Sequence, residues 1–239
     1  MKAMILAAGR GERMRPLTDT CPKPLLEVRG RPLIVWHILN LVKAGITEIV
    51  INLAHLGAML EATLGDGSRF GATLQYSAEG SALETAGGIA HARHLLGEQP
   101  FVAVNGDIYC PHFNFEQVTS VLVDADMWGN PYPPDKRDIG WLYLVKNPPH
   151  VPDGDFGLTT FSITNDGAPR FTFSGIGVYR PELFDGIAPG SSAKLAPLLR
   201  AAAARGVLGG EIYRGDWTDV GTPERLQQLN TPLSATLSK

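Results

Sequence analysis

Short apolar runs and longer stretches of helical periodicity alternate along the first half of the chain. Positions 4–8, Met-Ile-Leu-Ala-Ala, read as a buried strand, and after a short apolar piece at 25–28 and a turn at Arg29-Gly30, Pro32 opens a helix over 33–44 that Gly45 ends. The β-branched run 48–53 reads as a second strand, 56–64 as a helix and 72–77 as a third strand. A loop at 84–88, a helix to about position 96 and an apolar strand at 101–104 follow. A register that alternates strand and helix predicts a largely parallel sheet covered on both faces.

Beyond a helix predicted over 115–123 the pattern changes. Positions 128–136 are proline-rich and read as a loop, 141–145 as a strand, 147–155 as a loop, and 157–163 as a strand turning at Asn165-Asp166-Gly167. The β-rich run 170–179 carries Gly175 and Gly177, which suggests a close backbone approach, to a ligand or to another strand. Positions 193–204 form a helix with a leucine stripe that covers the sheet, and 224–229 a last helix. One domain over 1–230 with a tail at 231–239 is expected.

Composition changes this picture little. With 239 residues, 44% hydrophobic and 19% charged, the chain is long enough for one substantial α/β core. A net charge of -3 argues against a nucleic-acid surface, and no apolar segment reaches the ~20 residues of a membrane helix, so neither a nucleic acid nor a membrane is expected as partner. Cys21 and Cys110 have no metal or redox spacing, and with no signal-like apolar start a reducing cytoplasm is expected.

Candidate chemistry begins where the first strand ends. Gly9-Arg10-Gly11 offers backbone N–H groups free of Cβ, Arg13 follows, and Lys23 stands between Pro22 and Pro24, so a bare loop and several cations face one place and predict a phosphate cradle. The Walker A spacing is absent, and Met14 stands where a dinucleotide fingerprint needs its third glycine. Arg15 reads as a solvated surface cation, and His91 and His94, three apart on a helix, lack a third ligand and read as surface residues.

The run Leu6-Ala7-Ala8-Gly9-x-Gly11-x-Arg13-x-x-Pro16-Leu17-Thr18, followed by Pro22-Lys23-Pro24-Leu25, resembles the signature of the sugar-1-phosphate nucleotidylyltransferases. The resemblance continues through Glu84-Thr85-Ala86-Gly87-Gly88, Asn105-Gly106-Asp107 and Trp217-x-Asp219-x-Gly221-Thr222-Pro223, nearly the whole chain. It implies an α/β fold, a Rossmann-like three-layer α/β/α sandwich with a mixed, mainly parallel sheet of the nucleotidyltransferase or GT-A-like kind. The implied reaction joins a nucleoside triphosphate to a sugar 1-phosphate and releases pyrophosphate. Stretches 82–88 and 147–150 resemble the branch of the family that uses UTP in cell-wall recycling.

By the same resemblance, Asp107 and Asp219 hold Mg2+, Arg13 meets the β- and γ-phosphates, and Lys23 the α-phosphate or the incoming phosphate. Leu6, Ala8, Gly9, Gly11, Ala86, Gly87 and Asp107 are expected around the nucleotide, and Asn105, Gly140, Asn147, Gly175 and Arg170 around the sugar. Ala168-Pro169-Arg170 stands where many members have Glu-Lys-Pro, whose lysine meets the sugar phosphate, so either Arg170 substitutes or the phosphate is held from elsewhere. An acidic sugar would need a further cation, for which Arg170, Lys146 and His150 are candidates. Rival expectations are transfer of GMP to mannose 1-phosphate or of a thymidylyl group to glucose 1-phosphate, a catalytically silent copy that binds nucleotide, and a glycosyltransferase built on Asp124-Ala125-Asp126, a stretch better read as a solvated helix end.

Overall fold

The computed structural model describes residues 1–122 and 137–231. In chain order the strands are β1 (Lys2–Leu6), β2 (Glu27–Val28), β3 (Arg31–Pro32), β4 (Glu48–Leu53), β5 (Thr73–Ala78), β6 (Phe101–Asn105), β7 (Ile108–Tyr109), β8 (Gly140–Val145), β9 (Phe156–Thr159), β10 (Ser162–Thr164), β11 (Arg170–Tyr179), β12 (Leu208–Ile212) and β13 (Thr218–Asp219). The helices are α1 (Leu33–Lys43), α2 (Gly57–Leu64), α3 (Glu84–His91), α4 (Arg93–Leu96), α5 (Leu195–Ala204) and α6 (Pro223–Asn230).

Nine strands form one sheet in the order β5-β4-β1-β6-β11-β8-β12-β10-β9. The first four in that order are parallel, β11 enters antiparallel to β6 and β8, β12 is parallel to β8, and β10 is antiparallel to both β12 and β9. Alternation of side chains places Ala3, Ile5, Ile49, Ile51, Val102 and Val104 in one core with Ile34, Ile38 and Leu41 of α1. Met4, Val50 and Ala103, one residue out of phase, share the opposite core with Ile89 of α3 and Leu199 of α5. Both faces of the parallel strands are therefore covered, which makes a three-layer α/β/α sandwich.

A third, smaller core lies beside the carboxyl ends of the parallel strands. Met14, Leu26, Val28, Leu33, Tyr109 and Val220 are buried together, with Leu226 and Leu229 of α6 packed against them. It joins the first loop, the β2–β3 hairpin, the β7–β13 ribbon and α6.

Some elements differ from expectation. The region 84–88 is the start of α3 rather than a loop, because its glycines serve packing: a Cβ on Gly87 would strike the Ser191 carbonyl oxygen, and one on Gly88 the Glu79 carboxylate. The helix expected over 115–123 is a 3-10 turn from Phe115 to Ser120, and Val123 lies outside the described residues. The stretches 124–126 and 128–136, and all of the expected tail except Thr231, lie outside them as well.

Candidate active site

Parallel strands end in register, Leu6 beside Asn52 and Asn105, so the loops after β1 and β6 leave from one line at the carboxyl edge. They enclose a cleft of about 540 Å³, lined among others by Leu6, Ala8, Gly9, Gly11, Arg13, Lys23, Asn105 and Asp107. Gly9 is exposed, and a Cβ on it would meet nothing within 4 Å, so its backbone faces open space. Gly11 instead has φ 62, a left-handed conformation that favours glycine, and a Cβ there would press on Thr18 and Lys23 at 3.0 and 3.2 Å. The Thr18 hydroxyl donates to the Gly11 carbonyl at 2.8 Å and closes the loop. Opposite, the Asn52 amide oxygen accepts from the Ala7 N–H at 2.7 Å, while its Nδ2 donates to Glu79 Oε1 at 2.7 Å. This buried bridge fixes the first loop to the 79–85 wall of the cleft.

The two expected metal acids arrive on one ribbon. Asp219 pairs with Ile108, and the Val220 N–H donates to the Asp107 carbonyl at 2.8 Å, so the acids occupy neighbouring positions although 112 residues separate them (219 − 107). The ribbon is anchored by Trp217, whose Nε1–H donates to the Ser174 carbonyl at 2.8 Å, at a register shift in β11. Gly175 sits in that shift at φ 84, and a Cβ on it would collide with the Asn105 side chain. Its close approach is thus to the end of β6.

Each acid already has a cationic partner. Lys23 Nζ lies 2.7 Å from Asp107 Oδ2, with the lysine side chain 10% exposed and the aspartate 41%. Asp219 is bound by Arg225 Nη1, and His150 Nε2 stands 2.9 Å from the same Nη1 and 3.2 Å from Asp219 Oδ1. Desolvation, then the charges of Arg225 and Arg13, lowers the His150 imidazole from its ordinary value. Desolvation and the nearby Arg13 likewise lower the Arg225 guanidinium from its usual value. Arg13 and Arg225 are thus two cations held close together beside an open cleft.

A family model described as Nucleotidyl transferase matches residues 2–127, more than half of the chain, and takes in the first loop and Asp107. The chain belongs to the nucleotidyl transferase family. It is 51% identical to an N-acetylmuramate alpha-1-phosphate uridylyltransferase of Neisseria meningitidis, over 95% of this chain and 96% of that protein. A protein of the same name from Caulobacter vibrioides is 35% identical over 93% and 92%. A Xenopus laevis mannose-1-phosphate guanyltransferase beta-A is 29% identical, and this transferase matches 62% of its length. A Bacillus anthracis structure described as a glucose-1-phosphate thymidylyltransferase with sucrose shares the fold at TM-score 0.79 and 22% identity, over 96% of this chain and 94% of that one.

Several residues expected at the site of the transferase are elsewhere. Gly140 pairs with Tyr179 and Leu208, and Tyr179 in turn with Phe101 at the start of β6, so Gly140 is at the opposite edge of the sheet, where a Cβ would strike Leu208. The Arg170 guanidinium is committed to the carbonyl oxygens of Asp153, Gly154, Asp155 and Asn165. The Asn147 amide donates to the Pro152 and Arg170 carbonyls and accepts from the Thr172 hydroxyl, so it staples the 147–152 loop to β11. Ala86 and Gly87 are buried, and their N–H groups donate to the Ala193 carbonyl at 2.9 and 3.0 Å, which leaves neither to a base. Their neighbours Ala82, Glu84 and Thr85 line the cleft instead. Arg15 pairs with Asp19 at 3.1 Å on the surface. Among the described residues no group of three or more His, Cys, Asp or Glu is placed to hold a metal, so an ion here would need substrate oxygens to complete its shell.

Sequence reasoning missed Arg225. The available signal was its place two residues beyond Pro223 in a helix that Thr222 caps, which sets it in the first turn, facing back over Gly221 toward Asp219.

Proposed function

We propose that the protein transfers UMP from UTP to a sugar 1-phosphate, N-acetyl-α-muramate 1-phosphate, to give the UDP-sugar and pyrophosphate, with Mg2+ as the metal. The observation that carries this reading is the convergence of the Gly9–Gly11 loop, Arg13, Lys23 and the Asp107–Asp219 ribbon on one cleft, in a chain half identical over its length to a uridylyltransferase of that name. A phosphate monoester with a second pKa of about 6 is largely a dianion at pH 7, so the acceptor oxygen needs no general base. That oxygen attacks the α-phosphorus in line, the bond from the α-phosphorus to the bridging oxygen breaks, and its electron pair leaves with pyrophosphate.

The difficulty is repulsion between anions, and the residues answer it by position. N–H groups of the Gly9–Gly11 loop and Arg13 hold the β- and γ-phosphates. Lys23, largely buried and tethered to Asp107, is placed for the α-phosphate. Asp107 and Asp219 are the groups that would hold the metal, two carboxylates plus phosphate oxygens and water being a fitting set for Mg2+. When bound it neutralises charge on the transferring and leaving groups.

Pyrophosphate release across five nucleoside triphosphates and a panel of sugar 1-phosphates tests the reading. UTP with the muramate ester is expected to be the preferred pair. Lys23→Ala and Asp107→Ala are expected to stay folded and lose at least about 100-fold in turnover, and chelation by EDTA to abolish it. Preference for GTP with mannose 1-phosphate, or substantial turnover by either variant, would overturn the corresponding part.

A further inference from the structure

Gly221 lines the cleft, and directly behind it Arg225 reaches Asp219 and His150. Arg225 is only partly committed: Nη1 lies on Asp219 and His150, and among the described residues Nε and Nη2 make no hydrogen bond. Its side chain is 17% exposed, and a desolvated guanidinium with free donors is a strong site for a phosphate, which it can bind through two parallel hydrogen bonds.

The surrounding chain is built to present it. A Cβ on Gly221 would collide with Arg225 Nη2 and come within 3.1 Å of Asp219 Oδ2, so the glycine opens the path between them. Thr222 caps α6, and Leu226 and Leu229 fasten that helix to the small third core. Arg170, one of the two alternatives the sequence left open for the sugar phosphate, has its donors committed to backbone carbonyls.

We infer that Arg225, positioned by Gly221 and flanked by His150, is the anchor for the phosphate of the sugar 1-phosphate. This rests on the transferase reading above and deepens it. The triphosphate occupies the Arg13 and Lys23 side of the cleft, and the acceptor's phosphate approaches from the Arg225 side, next to Asp219.

Steady-state kinetics with each substrate varied separates the roles. Arg225→Gln is expected to raise the KM for the sugar 1-phosphate about 10- to 100-fold while the KM for UTP stays within about threefold. Arg225→Lys should recover part of the loss, and Gly221→Ala should shift the same KM in the same direction. Calorimetry with a non-hydrolysable UTP analogue gives a second readout. Arg225→Gln should weaken binding of the sugar 1-phosphate and leave that of the unphosphorylated sugar unchanged. Thermal melting controls for folding, and if Arg225→Gln fails to fold, the Lys and Gly221→Ala variants decide. An unchanged acceptor KM, an equal rise in both KM values, or an effect carried by Lys146→Gln instead overturns the inference. Wild-type turnover in the same assay distinguishes the two failures: if it is present, this inference falls alone, and if no sugar 1-phosphate supports it, the transferase reading falls too.

Discussion

Two glycines two positions apart do different work. At Gly9 the backbone is ordinary and nothing surrounds the missing Cβ, so Gly9→Ala should fold as well as wild type yet lose triphosphate affinity, as the methyl enters space that a phosphate needs. Gly11→Ala should cost about 1–2 kcal/mol for the left-handed backbone alone, and also displace Lys23, whose Cβ would lie 3.2 Å from the new methyl. Urea melts with calorimetric titration of UTP check both, and equal melting behaviour would refute the distinction. At this scale it was legible that Gly9, Gly11, Arg13, Lys23 and Asp107 face one place, because the loops that carry them leave from one line of strand ends and line one cleft. Arg225 was not legible, because what matters about it is a partner, Asp219, reached across a side-chain-free Gly221. Of the two alternatives left open for the sugar phosphate, the Arg170 one depends on which donors remain free, and the carbonyls of Asp153, Gly154, Asp155 and Asn165 have taken these.

Among the elements, the parallel half was readable because β1, β4 and β6 are mostly buried apolar runs, β5 alternates exposed and buried positions, and helical stretches separate the four. The second half was harder, since β11 belongs between β6 and β8 and no local pattern states which strands it joins. Gly140 illustrates the cost: the family resemblance set it at the sugar, and pairing with Tyr179 and Leu208 puts it at the far edge. Arg170 holds the β9–β11 region together through four carbonyl bonds, and this assigns it a structural role. Arg170→Ala should lose about 2 kcal/mol of stability, a fall in Tm of about 4–8 °C for a chain of this size, with the acceptor KM unchanged. A raised KM without a lower Tm would return Arg170 to the site.

For the whole molecule, the buried His37 sets an acid limit. Burial draws its pKa down from 6.5 to about 4, so between those values the unfolded chain binds a proton that the folded chain refuses. Stability should therefore decline as pH falls through that window, by up to about 1.4 kcal/mol per pH unit from this group. Urea unfolding at pH 7.5, 6 and 5 should show the slope, and His37→Leu should flatten it. Parallel slopes would dismiss the assignment. The small third core has another consequence. Met14, Tyr109 and Val220 belong to the three segments that bear the loop and both acids, and they are buried with one another rather than in either large core. Gentle heating should therefore silence the enzyme while its far-ultraviolet circular dichroism is still intact. Amide protons in all three segments should exchange at one shared rate, and a saturating triphosphate should slow that rate for them together.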